Sequence, residues 1–459
     1  MFVCSEKQKQ VFVFRPLTSQ MKSLFKIEKA LFYFLVFFLF LQKRLIWTPF
    51  GGEFNEWTSF YLYATDILIV AILFLWLVRV WRKEGKVNFG WTDLLLAIFL
   101  LFAGLSVITA ENRWLGIYGF VKLLEFSALF FYAKNNFLVL FSWQKFWQIF
   151  ICSAFLQSMV AIIQFFKQGS LGLKIFAESQ LDATAAGVAK IIVGGGRLVR
   201  AYGLVPHPNI LAAILVAAIF GMAYLWLINY RQLAVIKKII YAVVFAVLSW
   251  ALFLTFSRAV IVIGLALLII RLILFCRNAQ YKKSALFVLT SLFIAYSLLL
   301  IVYWPHFSTR FDIKDLGSGQ AADLRAEYNK IALDLIKERP LLGVGQGNFV
   351  FVFGQYYNLL RTWLFQPVHN VYLLIAAENG ILALLAFLAF LFFIIKSTLK
   401  RAKDNLAVAG CLFIIYSLLL FGLSDHFWWD LQQGQIMFWL FLGLLASEAL
   451  HPVSPLDKM

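Results

Sequence analysis

Apolar runs about twenty residues long, each closed by charged or Gly/Pro-containing stretches, recur along the whole chain. A hydrocarbon core about 30 Å thick takes roughly twenty helical residues to cross. The pattern therefore predicts an all-α, polytopic membrane protein with about twelve transmembrane helices. The expected spans are 31–47, 61–81, 91–109, 114–133, 146–166 and 209–228, then 239–255, 259–275, 285–304, 370–395, 406–423 and 434–450. This divides the chain into an N-terminal segment (1–30), nine spans (31–304), a large loop (305–368), three further spans (369–450) and a short tail (451–459). Trp47, Trp81, Trp91, Trp114 and Trp304 stand near expected ends, where an interfacial aromatic belt belongs.

Charge fixes the expected orientation. Connections carrying Arg79/Arg82/Lys83/Lys86, Lys134/Lys145, Arg231/Lys237/Lys238, Arg277/Lys282/Lys283 and Lys396/Lys400/Arg401/Lys403 all fall on the side of the basic N-terminus. By the positive-inside rule both termini are cytoplasmic. The first apolar run lacks a small-residue cleavage site, so it reads as a retained span. Two connections on the other side are long. The first, 167–208, carries Lys167, Lys174, Lys190, Arg197 and Arg200 against only Glu178 and Asp182. An anionic ligand outside explains this excess, as does the exemption of long loops from the rule. In the second, 305–368, residues 323–337 show helical periodicity, with Leu324, Tyr328, Ile331 and Leu335 on one stripe. That predicts an amphipathic helix lying on the membrane. It ends at Pro340, and Gly343, Gly345 and Gly347 then permit tight turns. The run lacks the Gly-Lys-Ser/Thr of a phosphate loop.

Composition agrees with this reading: hydrophobic residues are 62% of 459 and charged residues 14%, which excludes an ordinary soluble domain. The net charge of +18 is spread over short connections rather than gathered on one module, so nucleic acid is not an expected partner. Cys4, Cys152, Cys276 and Cys411 have no paired spacing, against a disulfide framework or a zinc site.

The topology carries several polar residues to one outer edge: Arg197 and Arg200 before the sixth span, His207 and Asn209 at its start, Arg258 opening the eighth, and His369 and Asn370 opening the tenth. Arginine stays charged and offers a planar fork of donors suited to phosphate or pyrophosphate oxygens. Several arginines beside a bilayer point to a lipid-linked phosphate. Each also has an ordinary reading: Arg258 as a snorkelling interfacial residue, Arg325 as part of a solvated face, His369 as a helix cap. Within spans, Asp66, Lys122, Glu125, Arg271 and Glu378 are costly enough to need a reason. Lys122 and Glu125 are three apart and can neutralise each other. Arg271 can snorkel, and Glu378 is out of phase with His369 and expected to support a neighbouring helix. Glu53, Glu56, Asp425 and Asp430 are external carboxylates, but no Asp-x-Asp pair stands among them, and no metal or other cofactor is expected. Ser257 has no nucleophile elbow around it.

The stretches Thr255-Phe-Ser-Arg258, Asp323-Leu-Arg325, Arg339-Pro-Leu-Leu-Gly-Val-Gly-Gln-Gly-Asn-Phe349, His369-Asn-Val-Tyr-Leu and Glu378-Asn-Gly-Ile together resemble the signature of the O-antigen ligase and O-antigen polymerase superfamily. Arg200-Ala-Tyr-Gly203 followed by His207-Pro-Asn-Ile-Leu-Ala is similar to its preceding element. The resemblance implies a GT-C-like glycosyltransferase in the bacterial cytoplasmic membrane. It would take a glycan from a polyprenyl (undecaprenyl) pyrophosphate carrier and join it, metal-independently, to a lipid, glycan or protein acceptor outside. It implies that Arg200, Arg258 and Arg325 hold the pyrophosphate, with His369 nearest the reacting centre, taking the acceptor proton or orienting the pyrophosphate. Attack opposite the leaving group would invert the anomeric configuration.

Local motifs do not separate a ligase from a polymerase. A flippase or transporter of lipid-linked sugars also has about twelve spans and basic cavities. It is expected to show two similar halves, whereas this chain has one asymmetric large loop and no evident repeat.

Overall fold

The computed structural model describes residues 19–47, 54–85, 87–308, 316–356, 365–403 and 405–450. The long helices are α1 (Ser19–Phe38), α2 (Ala64–Trp81), α3 (Trp91–Ser106), α4 (Arg113–Leu140), α5 (Trp143–Lys167), α6 (Pro208–Asn229), α7 (Val235–Leu254), α8 (Arg258–Cys276), α9 (Lys282–Val302), α11 (Leu316–Glu338), α13 (Val371–Leu399), α14 (Leu406–Phe421) and α16 (Gln432–Leu450). Short helices α10 (Trp304–Ser308), α12 (Phe349–Tyr356) and α15 (Phe427–Asp430) lie between them. Among the described residues eight helices, α2, α4 to α9 and α13, are long and apolar enough to cross a membrane. α3 and α14 are apolar and shorter. The protein is thus a polytopic, predominantly helical membrane protein.

Two features depart from the all-α expectation. The first expected span begins earlier and stops at Phe38. Residues Arg44–Trp47 instead form strand β1, paired antiparallel with β2 (Phe60–Tyr63). The Arg44 guanidinium lies 4.2 Å over the Tyr61 ring and is ion-paired with Glu56, which fixes the hairpin. In the 167–208 connection a second hairpin pairs β3 (Lys190–Val193) with β4 (Gly196–Val199).

α6 is enclosed nearly all round, and an apolar sequence without a polar face is what such a position requires. α7, α8 and α9 leave most of their apolar surface exposed, as helices facing lipid do. Trp81, Trp91, Trp114 and Trp304 are exposed at helix ends, as residues of an interfacial belt would be, whereas Trp47 is exposed at the end of β1 rather than of a span.

Most charges inside spans are paired, and Arg271 and Glu378 bond to backbone groups instead. Lys122 donates to Glu125 at 2.9 Å, as their spacing anticipated, and also to Asp66 on α2 at 2.7 Å. Arg271 donates to the Ala402 carbonyl at 2.7 Å. Buried Arg79 pairs with Glu28 on α1 at 2.8 Å, a contact the basic-connection reading did not foresee.

α11 begins at Leu316, before the expected 323, and its stripe is not left to lipid. Tyr328, Ile331 and Leu335 are buried in the protein's own core, with Leu324 packed against it, and α11 lies against α13. α13 is broken rather than continuous, since Gly380 has φ +83° and ψ 167°. The glycine run repairs the break: the Val344 and Gly345 amides donate to the Ala377 and Glu378 carbonyls at 2.9 Å each, and Ile381 N–H donates to the Pro340 carbonyl at 2.8 Å. Backbone groups freed inside a membrane must find such partners. The Phe349 amide donates to the Glu378 carboxylate at 3.3 Å, so Glu378 binds a neighbouring segment, as its phase predicted.

Candidate functional site

The segment before α6 bends so that Arg200 points back into the bundle, where it is buried. Its Nε donates to the Thr255 carbonyl at the end of α7, and its Nη2 donates to Asn209 Oδ1 at 2.9 Å. His207 caps α6, its Nδ1 accepting from the Asn209 amide at 3.2 Å. That bond leaves Nε2 as the protonated nitrogen of a neutral imidazole. Asn209 is the junction of the site: Oδ1 also accepts from Ser257 Oγ at 2.8 Å, while Nδ2 donates to Asp425 Oδ2 at 2.6 Å. Asp425 Oδ1 in turn accepts from the backbone amides of His426 and Phe427.

These groups line a cavity of about 600 Å³ together with Lys190, Arg258, Arg325 and His369. Among the described residues four cationic side chains, those of Lys190, Arg200, Arg258 and Arg325, line it with two carboxylates, Glu56 and Asp425. Glu56 is already paired with Arg44, and Asp425 is held by Asn209 and two amides. The cavity therefore presents an excess of positive charge to whatever enters it.

His369 lies parallel to Tyr328, ring centroids 5.9 Å apart, so the buried stripe of α11 also supports the histidine. Its Nδ1 is buried and takes no hydrogen bond among the described residues. Burial, then the neighbouring His426, lowers the His369 pKa well below the ordinary histidine value. Burial and then Arg200 push His207 down to about 3. At Asp425 burial acts to raise the pKa, but His426, His369, His207 and the Asn209 hydrogen bond outweigh it, and the carboxyl is lowered. His426 is the exception: burial lowers it, yet Asp430 and Asp425 prevail and raise it. Near neutral pH the centre holds a carboxylate at Asp425 and neutral imidazoles at His207 and His369.

Of the residues singled out from sequence, Arg200, His207, Asn209, Arg258, Arg325 and His369 meet at this cavity. Two do not. Arg197 is exposed on β4, away from the cavity lining. Asn370 turns its side chain to the start of α13, accepting from the Tyr372 and Leu373 amides at 3.0 and 3.2 Å, so its role is that of a helix cap. Sequence reasoning gives no role in the site to Lys190, Ser257, Asp425 or His426. The signal for the last two is present: Asp425-His426 follows an expected span at the same edge as the other groups.

No curated protein matches the chain. Residues 242–388, which hold Arg258, Arg325, the glycine run and His369, match the family model for O-antigen ligases, and this similarity supports placing the chain in the O-antigen ligase and polymerase superfamily.

Proposed function

We propose that this protein is a glycosyltransferase of a bacterial cytoplasmic membrane, with both termini cytoplasmic. In this reading it transfers a glycan from a polyprenyl pyrophosphate carrier to an extracytoplasmic acceptor, in the manner of an O-antigen ligase. The carrying observation is the convergence of Arg200, Arg258, Arg325 and Lys190 on one cavity with a neutral His369, whose Nδ1 has no hydrogen bond among the described residues.

The chemistry follows from those groups. A pyrophosphate entering the cavity meets guanidinium forks that bind its oxygens and offset the charge that grows as it leaves. Such electrostatic stabilisation is usually the largest single contribution to catalysis of this kind. The acceptor hydroxyl oxygen forms a bond to the anomeric carbon while the bond from that carbon to the pyrophosphate oxygen breaks. The hydroxyl proton passes to the His369 imidazole. On its own His369 is a weak base, but a bound pyrophosphate adds negative charge beside it and raises its proton affinity. Asp425, fixed by Asn209, holds the other side of the centre. Attack opposite the leaving group inverts the anomeric configuration.

The test is transfer from isolated carrier-linked glycan by His369→Ala and Arg258→Ala proteins shown to reach the membrane. Both are expected to lose transfer by about 10²-fold or more. Undiminished transfer by both overturns the assignment. In a deletion strain, full-length glycan stranded on the carrier is expected for a ligase, and single repeats on the usual acceptor for a polymerase.

A further inference from the structure

Beside the cationic cavity lies a smaller one, of about 100 Å³, and Glu56 and Trp57 line both. It differs in chemistry. Among the described residues its only cationic lining group, Lys122, is neutralised by Asp66 and Glu125. The carboxylates on its wall are engaged as well: Glu56 with Arg44, Asp430 with His426, and Glu378 with the Phe349 amide. Neither an anion nor a free cation is suited to such a wall.

What the wall offers is aromatic surface and unused hydrogen-bonding groups. The rings of Tyr61, Tyr63 and Tyr118 line it. Their hydroxyls are tied back, to the Glu56 carbonyl at 2.9 Å, to Arg44 at 2.7 Å and to the Tyr61 carbonyl at 3.2 Å, so the rings are held in place without a ligand. Five buried polar atoms of residues on this wall have no hydrogen-bond partner among the described residues: the donors Trp57 Nε1 and Trp429 Nε1, the acceptors Gln346 Oε1 and Gln432 Oε1, and Asp430 Oδ2, which stands beside His426. Gln346 and Gln432 are each less than a tenth exposed. Buried polar groups left unpaired are rare and call for an occupant. Because one water needs about 10–15 Å³ of such space, the cavity exceeds what a single water fills.

Resting on the glycosyl-transfer reading, we infer that this second cavity is a subsite for one neutral sugar ring of the glycan substrate, next to the pyrophosphate. A pyranose supplies both parts of the match: an apolar C–H face for the fixed tyrosine rings, and hydroxyls that both accept from Trp57 and donate to the glutamines. The partnered carboxylates keep the wall polar without demanding a charged ligand. The glycine run takes a further part here, since Gln346 lies within it and Gly345, at φ +102°, turns the chain toward α3.

The test uses full-length protein in nanodiscs, with carrier-linked glycan as donor and sugar-free polyprenyl pyrophosphate as competing inhibitor. Gln346→Met removes the orphan acceptor with little change of shape. Gly119→Ala fills the cavity from α4, placing a methyl group 3.1 Å from Gln346 Cγ. Each is expected to raise the KM of the donor or acceptor glycan about tenfold, the usual scale for one lost hydrogen bond. The inhibition constant of the sugar-free lipid is expected to stay within about twofold of wild type. Unchanged KM in both variants overturns the subsite and leaves the cavity to water. KM and inhibition constant rising together overturns it too, and makes the residues structural. Wild-type protein that binds the sugar-free lipid but transfers no glycan overturns the transferase reading itself, and the subsite with it.

Discussion

His369 and His426 meet edge to face, their ring centroids 4.9 Å apart and their planes at 84°. The two are driven in opposite directions, His369 lowered by burial and by His426, and His426 raised by Asp430 and Asp425 against the effect of burial. A proton on His426 thus keeps one off His369. Asp430→Asn removes the carboxylate 2.8 Å from His426. His426 then loses its proton more readily, and His369 rises toward the ordinary histidine value. If His369 takes the acceptor proton, the acid limb of kcat/KM moves to higher pH in this variant. The check is a pH–rate profile from about pH 4 to 8; an acid limb that stays put breaks the link between the two histidines and catalysis.

Arg258 and Arg325 come from different elements, α8 and α11, yet line one cavity, so two like charges converge on whatever anion enters it. Each guanidinium offers a planar fork of donors that a lysine ammonium does not. Replacement of either by alanine is expected to lower kcat/KM for the carrier-linked donor by about 10²–10³-fold. Lysine at the same positions is expected to restore only part of that loss. Full restoration by lysine would show that charge alone suffices, against a bidentate grip.

Gly380 is where the membrane helix α13 and the glycine run meet. A Cβ there would stand 2.0 Å from the Leu341 carbonyl oxygen, on a backbone at φ +83°. Gly380→Ala must therefore separate the two segments and strand the carbonyls of Ala377 and Glu378 as well as the Ile381 amide. The expected cost is about 3 kcal/mol or more, seen as a lowered unfolding midpoint of the purified protein. Gly354→Ala, where a Cβ meets nothing within 4 Å, serves as the control and is expected to be near wild type.

How legible these features are in sequence follows from the range of the interactions. Helices are legible because an apolar run reports its own lipid or protein surroundings. The convergence of Arg200, Arg258 and His369 is legible because topology alone sends each to the same edge, whereas Arg325, in the large loop, is drawn to them only by the family resemblance. The break in α13 is not, although Gly380 stands in plain view, because the groups that satisfy it come from Pro340, Val344 and Gly345 in another segment. The helix-capping of Asn370 and the outward placement of Arg197 are local geometry that residue type does not fix. The topology carries Asp425 to the same edge, but nothing in the local sequence tells what it does there. Its role depends on Asn209, 216 positions away in sequence.

Acid is expected to destabilise the fold through His207. This residue is neutral in the folded protein with its pKa pushed down to about 3, against about 6.5 for an unfolded histidine. Between those two values the unfolded chain binds the proton and the folded chain does not, so unfolding is favoured as protons become available. The stability is fully present above pH 6.5 and drains away as pH falls from there toward 3. His207→Asn removes the titrating ring yet keeps a side chain able to cap α6, a position where asparagine ranks among the best residues. Its unfolding midpoint is expected to match wild type near pH 7.5 and to fall less steeply through the acid range. Midpoints of the two proteins in detergent, taken from about pH 7.5 down to 4 without substrate, measure the difference in slope directly. Parallel curves would mean that His207 gains its proton in the folded state as easily as in the unfolded one, and that the wall of the cavity is wetter than its geometry implies.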